Sequence, residues 1–142
     1  MGSKKKVRNK MCDDHKYHTD KNEYIPFPVK VLKKIIESAD TFTLRLDWKT
    51  NHDPGQFIQI SLPGIGEAPI SISSYSHEYL DITIRKVGNV TNALFKLKKG
   101  DEVLVRGPYG KGYPMDKLKG NNILFIGGGC GVAPLKGAIE YD

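Results

Sequence analysis

Two cysteines, Cys12 and Cys130, are too few for a disulfide framework, and their unlike surroundings argue against a bridge between them. No apolar run approaches the roughly 18 residues that a membrane span requires. The basic start leads into polar residues rather than the apolar core of a secretory signal. The expected compartment is a reducing cytoplasm, with no membrane partner. Net positive charge is also missing where a fold can form. The chain carries +6, but residues 1–34 hold 10 Lys and Arg against 4 Asp and Glu, and residues 35–142 hold 12 of each. The charge belongs to the N-terminal arm, so a basic nucleic-acid-binding surface loses most of its support. Metal-site and acid–base patterns are missing too. Cys12, His15 and His18 stand three apart without a fourth ligand, and no dyad at suggestive spacing marks a general acid or base.

What remains is alternation. Residues 1–22 lack apolar periodicity and read as a disordered basic arm. From Tyr24 the order changes: Val29 to Ile35 is a first strand, and Thr41 to Trp48 places Phe42, Leu44, Leu46 and Trp48 on one face with Thr43, Arg45 and Asp47 on the other. Gln56 to Leu62 follows, then Ala68 to Ser74, Leu80 to Val87 and Asp101 to Gly107, separated by Gly, Pro, Asn and Ser turns. Six short strands at this spacing predict a mainly β fold, a six-stranded antiparallel Greek-key barrel with one short capping helix, over residues 23–120. The inward positions of Phe42 and Trp48 leave no exposed stacking platform for single-stranded nucleic acid. Residues 121–142 predict a strand (Asn122 to Ile126), a glycine turn and a helix from Pro134 to Tyr141. That is the opening of a nucleotide-binding half-domain, incomplete here because a parallel sheet needs several such units.

The middle of the chain organises the rest. Ala68 to Ser74 and Leu80 to Val87 predict an antiparallel hairpin, with Leu80, Ile82 and Ile84 on one face and Asp81, Thr83 and Arg85 on the other. Gly88-Asn89-Val90-Thr91 then opens a helix with Thr91 as its N-cap and Gly100 as its stop. The free N–H groups of Val90, Thr91 and Asn92 would face an anion. An ordinary capped helix after a hairpin accounts for the same residues.

Four motifs stand in a familiar order: Ala68-Pro69-Ile70-Ser71, Gly88-Asn89-Val90-Thr91, Gly107-Pro108-Tyr109-Gly110 and Gly127-Gly128-Gly129-Cys130-Gly131-Val132-Ala133-Pro134. In that order they resemble the ferredoxin–NADP reductase superfamily, and within it the flavin subunits of multi-subunit enzymes: the sulfhydrogenase gamma subunit, the flavin-bearing subunit of anaerobic sulfite reductase and the dihydroorotate dehydrogenase electron-transfer subunit. The resemblance implies FAD. Pro69, Ile70 and Ser71 would lie along the flavin ring, with Ser71 nearest its reactive edge. Gly88, Val90 and Thr91 would hold the pyrophosphate, with Val87 beside them and Arg85 or Lys86 supplying its countercharge. Gly128, Gly129, Cys130, Gly131 and Pro134 would belong to the approach of a nicotinamide, although no basic residue adjoins Cys130 in sequence. Two places depart from the family pattern. Ala68 stands where an Arg is common, and Ile70 where an aromatic often stacks on the ring. In the complete family, NAD(P)H reduces the flavin, which passes electrons singly to an iron–sulfur centre in the same or a partner subunit. The expectation for this chain is FAD binding without competent NAD(P)H turnover. The alternatives are a cofactor-free barrel serving as a docking scaffold and, less favoured, a nucleic-acid-binding barrel.

Overall fold

The computed structural model describes residues 22–141, so the basic arm and the Cys12–His15–His18 group lie outside the described residues, save Asn22 at the arm's end. Six strands form: β1 (Phe27–Ile36), β2 (Thr41–Leu46), β3 (Phe57–Leu62), β4 (Gly66–Ser71), β5 (Leu80–Arg85) and β6 (Glu102–Tyr109). They make one sheet in the order β4-β3-β6-β1-β2-β5, with every pairing antiparallel. The sixth strand therefore lies between the first and the third, which is the long return of a Greek key. A single bridge, Ile72 to Ile82, joins the two ends of the sheet and closes the barrel. Three short helices follow or interrupt the strands: α1 (Asn89–Phe95), α2 (Met115–Leu118) and α3 (Val132–Ile139). No helix among the described residues is long and apolar enough to cross a membrane.

Alternation sets the interior. Phe42, Leu44 and Leu46 of β2 and Leu80, Ile82 and Ile84 of β5 are fully buried, as their period-two spacing demands. Val29, Val31, Ile58, Ile60, Val103 and Val105 complete the lining, and Leu94 of α1 plugs the open end. Trp48 meets Phe27 edge-on with ring centroids 5.1 Å apart. Each fully buried aliphatic or aromatic side chain contributes about 1.5–3 kcal/mol, so a dozen of them set the order of magnitude that chain entropy must offset.

The structure corrects several expectations. The predicted hairpin between Ala68–Ser74 and Leu80–Val87 forms only at its turn end, where Ile72 bridges Ile82 and the Ser73 N–H donates to the Asp81 carbonyl. β4 turns back through Pro63, Gly64 and Ile65 to pair with β3, in register Ile58 to Ile70, and apart from that bridge β5 pairs with β2. After Ser71 the chain crosses to β5 through Ile72 and Ser73, and the Ser74 hydroxyl then takes the Asp81 N–H. Thr91 is not the N-cap; Gly88 is, and Thr91 lies one turn inside. The helix ends at Phe95 rather than near Gly100, because Lys96 and Leu97 tighten onto the carbonyls of Ala93 and Leu94. Gly100 instead turns the chain at φ +93° and donates its N–H to the Val31 carbonyl. Asn122 to Ile126 is not a strand. It has no neighbour to share a ladder, and Leu124 and Ile126 remain more than 80% exposed.

The last helix nevertheless docks. Gly137 packs on the backbone of Ser74, where an added Cβ would come within 3.0 Å of the carbonyl oxygen. Tyr141 stacks beside Tyr75 at 4.8 Å, and the Tyr75 N–H donates to Glu140. Gly137→Val should therefore lift α3 off the barrel without unfolding it. Overpacking costs of about 1–3 kcal/mol predict that amide exchange in residues 132–139 accelerates by about 5- to 150-fold. Exchange in β2 and β5 should be unchanged. Uniform acceleration across the barrel would contradict this picture.

Candidate functional site

Because β4 and β5 touch at one bridge and then diverge, a cleft of about 340 Å³ opens between them, floored by the start of α1 and bounded by the glycine turn before α3. Pro69, Ile70 and Ser71 form the β4 wall, with Thr83 and Arg85 opposite on β5. Val87 and Thr91 line one end, and Cys130 and Ala133 the other. The closure thus brings together residues from three of the four sequence motifs. Ile70 is half-buried and packs against the barrel core, which fixes its side chain as one wall of the cleft.

The α1 end of the cleft is held by the Thr91 hydroxyl. Its oxygen accepts the N–H groups of Val87 and Gly88 at 2.9 and 3.0 Å and donates to the Gly88 carbonyl at 3.1 Å. The hydroxyl is consumed in shaping the loop. The N–H groups of Asn89, Val90 and Thr91 open the helix without intrahelical acceptors. Asn92, expected among them, is already bonded to the Gly88 carbonyl at 2.9 Å. Gly88 has open space where a side chain would stand, which permits close approach to its backbone.

The remaining predicted residues divide. Lys86 does not line the cleft; its ammonium lies over the Phe95 ring, 4.1 Å from the centroid. Gly88 and Val90 lie outside the lining, and Val90 packs on the core. Gly128, Gly131 and Pro134 also stand outside it. Gly129 lines a neighbouring hollow of about 520 Å³ that shares Thr83, Arg85, Cys130 and Ala133 with the cleft and runs on past Glu37, Asp40 and Lys136. Sequence reasoning missed Thr83 and the whole 37–43 segment, because only the β2–β5 pairing, Thr43 opposite Thr83, brings that segment to the hollow beside the cleft.

Electrostatics centres on Arg85. It pairs with Asp40 at 2.7 Å, and its guanidinium also faces the Cys130 thiol. The thiol thus gains across space the basic neighbour that its sequence surroundings lack. Asp40 and, after it, Cys130 hold Arg85 above its ordinary range. At the opposite end of β5, Asp81 lies on the outward face yet is fully buried, because Arg45 grips both its oxygens at 2.8 and 2.9 Å and stacks on Tyr79. Thr43, also expected outward, is buried by the same crowding of polar side chains.

Bonds from Arg85 first, then Thr41 and Ser38, pull the Asp40 carboxyl from 3.8 down to about 2. A depressed carboxyl stabilises the fold above its unfolded value and loses that contribution as pH falls through its folded one. Asp40→Asn should thus lower the melting temperature at pH 6, with the difference from the parent shrinking below about pH 3.8 and vanishing near pH 2. Thermal melts followed by circular dichroism across that range would read it. A difference independent of pH would contradict the assignment.

The pattern of the oxidoreductase FAD-binding domain matches residues 27–113, which contain all six strands and α1. Sulfhydrogenase 1 subunit gamma of Pyrococcus furiosus is 43% identical over 129 residues, covering 84% of this chain and 44% of that protein. A probable dihydroorotate dehydrogenase B (NAD(+)) electron transfer subunit of Methanocella arvoryzae is 44% identical over 108 residues, covering 73% of this chain and 39% of that one. Among solved structures, a cytochrome P450 reductase of Amycolatopsis aligns with a TM-score of 0.67 at 30% identity, over 79% of this chain and 38% of that one. The ferredoxin–NADP+ reductase of Plasmodium falciparum, at 22% identity, shares the fold with a TM-score of 0.69 over 81% of this chain and 51% of its own. This chain spans less than half the length of these two curated relatives. With the cleft at its sheet edges and this match across the barrel, the chain belongs to the oxidoreductase FAD-binding domain family.

Proposed function

We propose that residues 23–120 hold one FAD in the cleft between β4 and β5, as the flavin domain of an electron-transfer subunit, and that residues 121–142 begin a nucleotide-binding part. The observation that carries this reading is the divergence of β4 from β5, which leaves a space within the usual range of small-molecule pockets, about 300–1,000 Å³, lined by Ile70, Ser71 and Thr91. The donor set fits the cofactor. Ile70 offers an aliphatic face to a planar ring, Ser71 a hydroxyl that donates or accepts, and the amides of Asn89, Val90 and Thr91 a neutral cradle for a diphosphate. Ala68 supplies no charge and Arg85 is engaged with Asp40, so backbone amides carry the anion recognition. FAD, when bound, supplies the exchange between two-electron hydride chemistry and single-electron release. The chain's own residues orient the ring and keep water from its inner face.

The relatives named as subunits, for electron transfer and for NAD(+), support an electron path linked to a nicotinamide within a complex of several subunits. NAD(P)H as donor and an iron–sulfur centre as acceptor follow from the family resemblance alone. Among the described residues, the nucleotide-binding part amounts to a glycine turn and α3, with no strand at 122–126. The chain by itself therefore binds FAD without turning over NAD(P)H.

Titration of the purified chain with FAD, read by calorimetry and by the visible spectrum, should give one cofactor per chain. Thr91→Val removes the hydroxyl bonds that shape the Gly88 loop, each worth about 1 kcal/mol, and should weaken FAD by about tenfold, while Thr91→Ser retains it. Protein that stays colourless, with flat calorimetry, would overturn the cofactor reading. Rapid bleaching of the bound flavin by NADH or NADPH would overturn the statement about turnover alone.

A further inference from the structure

We propose that Thr83, Thr43 and Glu37 form a proton relay from the FAD cleft to solvent, held in one direction by Ser73. This rests on the FAD reading above. Thr83 on β5 stands directly opposite Thr43 on β2, and Thr83 lines both the cleft and the larger hollow. Glu37, in the β1–β2 turn, is exposed and lines only the larger hollow. The hydroxyls and the carboxylate make a row across the strands, with gaps of 2.9 Å from Ser73 to Thr83, 2.8 Å to Thr43 and 2.7 Å to Glu37.

Counting protons fixes the polarity. Each hydroxyl has one to donate. Thr43 gives its proton to the Glu37 carboxylate, so Thr83 must be the donor to Thr43. The proton of Thr83 is then spent, and Ser73, fully buried, must be the donor to Thr83. All three O–H bonds point from the buried end toward the exposed carboxylate. Chains polarised in this way strengthen one another in a low-dielectric setting.

The transfer balances without electrons. A proton reaching the remaining lone pair of Thr83 Oγ1 displaces the Thr83 proton to Thr43 Oγ1, and the Thr43 proton passes to Glu37 Oε1. One proton enters at the cleft, one leaves from a carboxylic acid in contact with water, and run in reverse the same row delivers a proton inward. The other charged and titratable groups facing this hollow are Asp40 and Arg85, paired with each other, Cys130 on the glycine turn, and Lys136 on α3, which pairs with Glu140. Glu37 alone among these acids continues the hydroxyl row.

Bound flavin reduced with dithionite and oxidised by two ferricyanide ions must lose a proton, so a pH-indicator dye in weakly buffered solution times its exit against the flavin absorbance. In the full FAD-loaded chain the dye should keep step with the flavin. In Glu37→Gln, which still accepts from Thr43 but cannot take a proton, the dye should lag by about 100-fold, and millimolar imidazole should remove the lag. Thr43→Val should lag equally at unchanged FAD affinity. Dye and flavin in step in Glu37→Gln, or a lag that imidazole does not relieve, would overturn the relay and leave FAD binding standing. A chain that takes up no FAD would overturn both.

Discussion

The structure depends on a sheet that almost fails to close. Five pairings are ladders of four or more residue pairs, but the sixth contact, where the chain after β4 meets β5, is the single bridge at Ile72 and Ile82. Below the bridge the apolar side chains of both edges enter the core and seal the barrel. Beyond it the edges separate, and each presents polar groups that a continuous ladder would have consumed. α1 closes the floor of the gap with Leu94 in the core and its first amides turned outward. A fully paired barrel with the same composition would be more regular and would have no place for a dinucleotide. The cleft is the defect in the closure.

A second consequence lies on the outer face of β2 and β5. An antiparallel sheet commonly buries one face and wets the other, yet Thr43 and Asp81 are buried on the wetted side. Burying a carboxylate is costly unless it is paired and hydrogen-bonded, and Asp81 is gripped by two guanidinium nitrogens and accepts nothing weaker in their place. The hydroxyl row through Thr83 is satisfied in the same internal manner. Over this face lie the glycine turn and the start of α3, whose Cys130, Val132, Ala133 and Lys136 line the larger hollow together with Thr43, Thr83 and Arg85.

Much of this was legible in the residues. The period-two pattern of Phe42, Leu44 and Leu46, and of Leu80, Ile82 and Ile84, specified strands, faces and core together, because one physical rule, the pleat, determines all three. The order of glycine-bearing motifs pointed to the cleft, and Ile70, Ser71, Arg85, Val87, Thr91 and Cys130 do meet there. Partnership between strands was not legible. The sequence neighbours Ala68–Ser74 and Leu80–Val87 look like a hairpin locally, and the competing pairing of β4 with β3 is decided by the tight turn at Pro63 to Ile65 and by the Ile58–Ile70 register. Thr91 was misplaced for a similar reason. A threonine at a helix start suits both the cap position and the third position, and only the folded loop shows that its oxygen reaches back to Val87 and Gly88. The Thr83–Thr43–Glu37 row needed the β2–β5 register before it could be seen at all.

The departures at Ala68 and Ile70 become intelligible once the charges are placed. A cleft that relied on an arginine at position 68 would hold an unpaired cation whenever the diphosphate was absent. Here the guanidinium nearest the cleft, Arg85, is neutralised by Asp40 from a neighbouring turn, and in the proposed binding mode recognition of the anion falls to amides that carry no net charge and cannot be titrated. The pairing has a further effect. It ties the end of β5 to the β1–β2 turn, where Glu37 accepts from Thr43, so the same ion pair that removes charge from the cleft also fixes the outer end of the hydroxyl row. Exchanging fixed charge for backbone dipoles therefore costs some electrostatic attraction for the cofactor but leaves a site whose shape and proton connections are set before any ligand arrives.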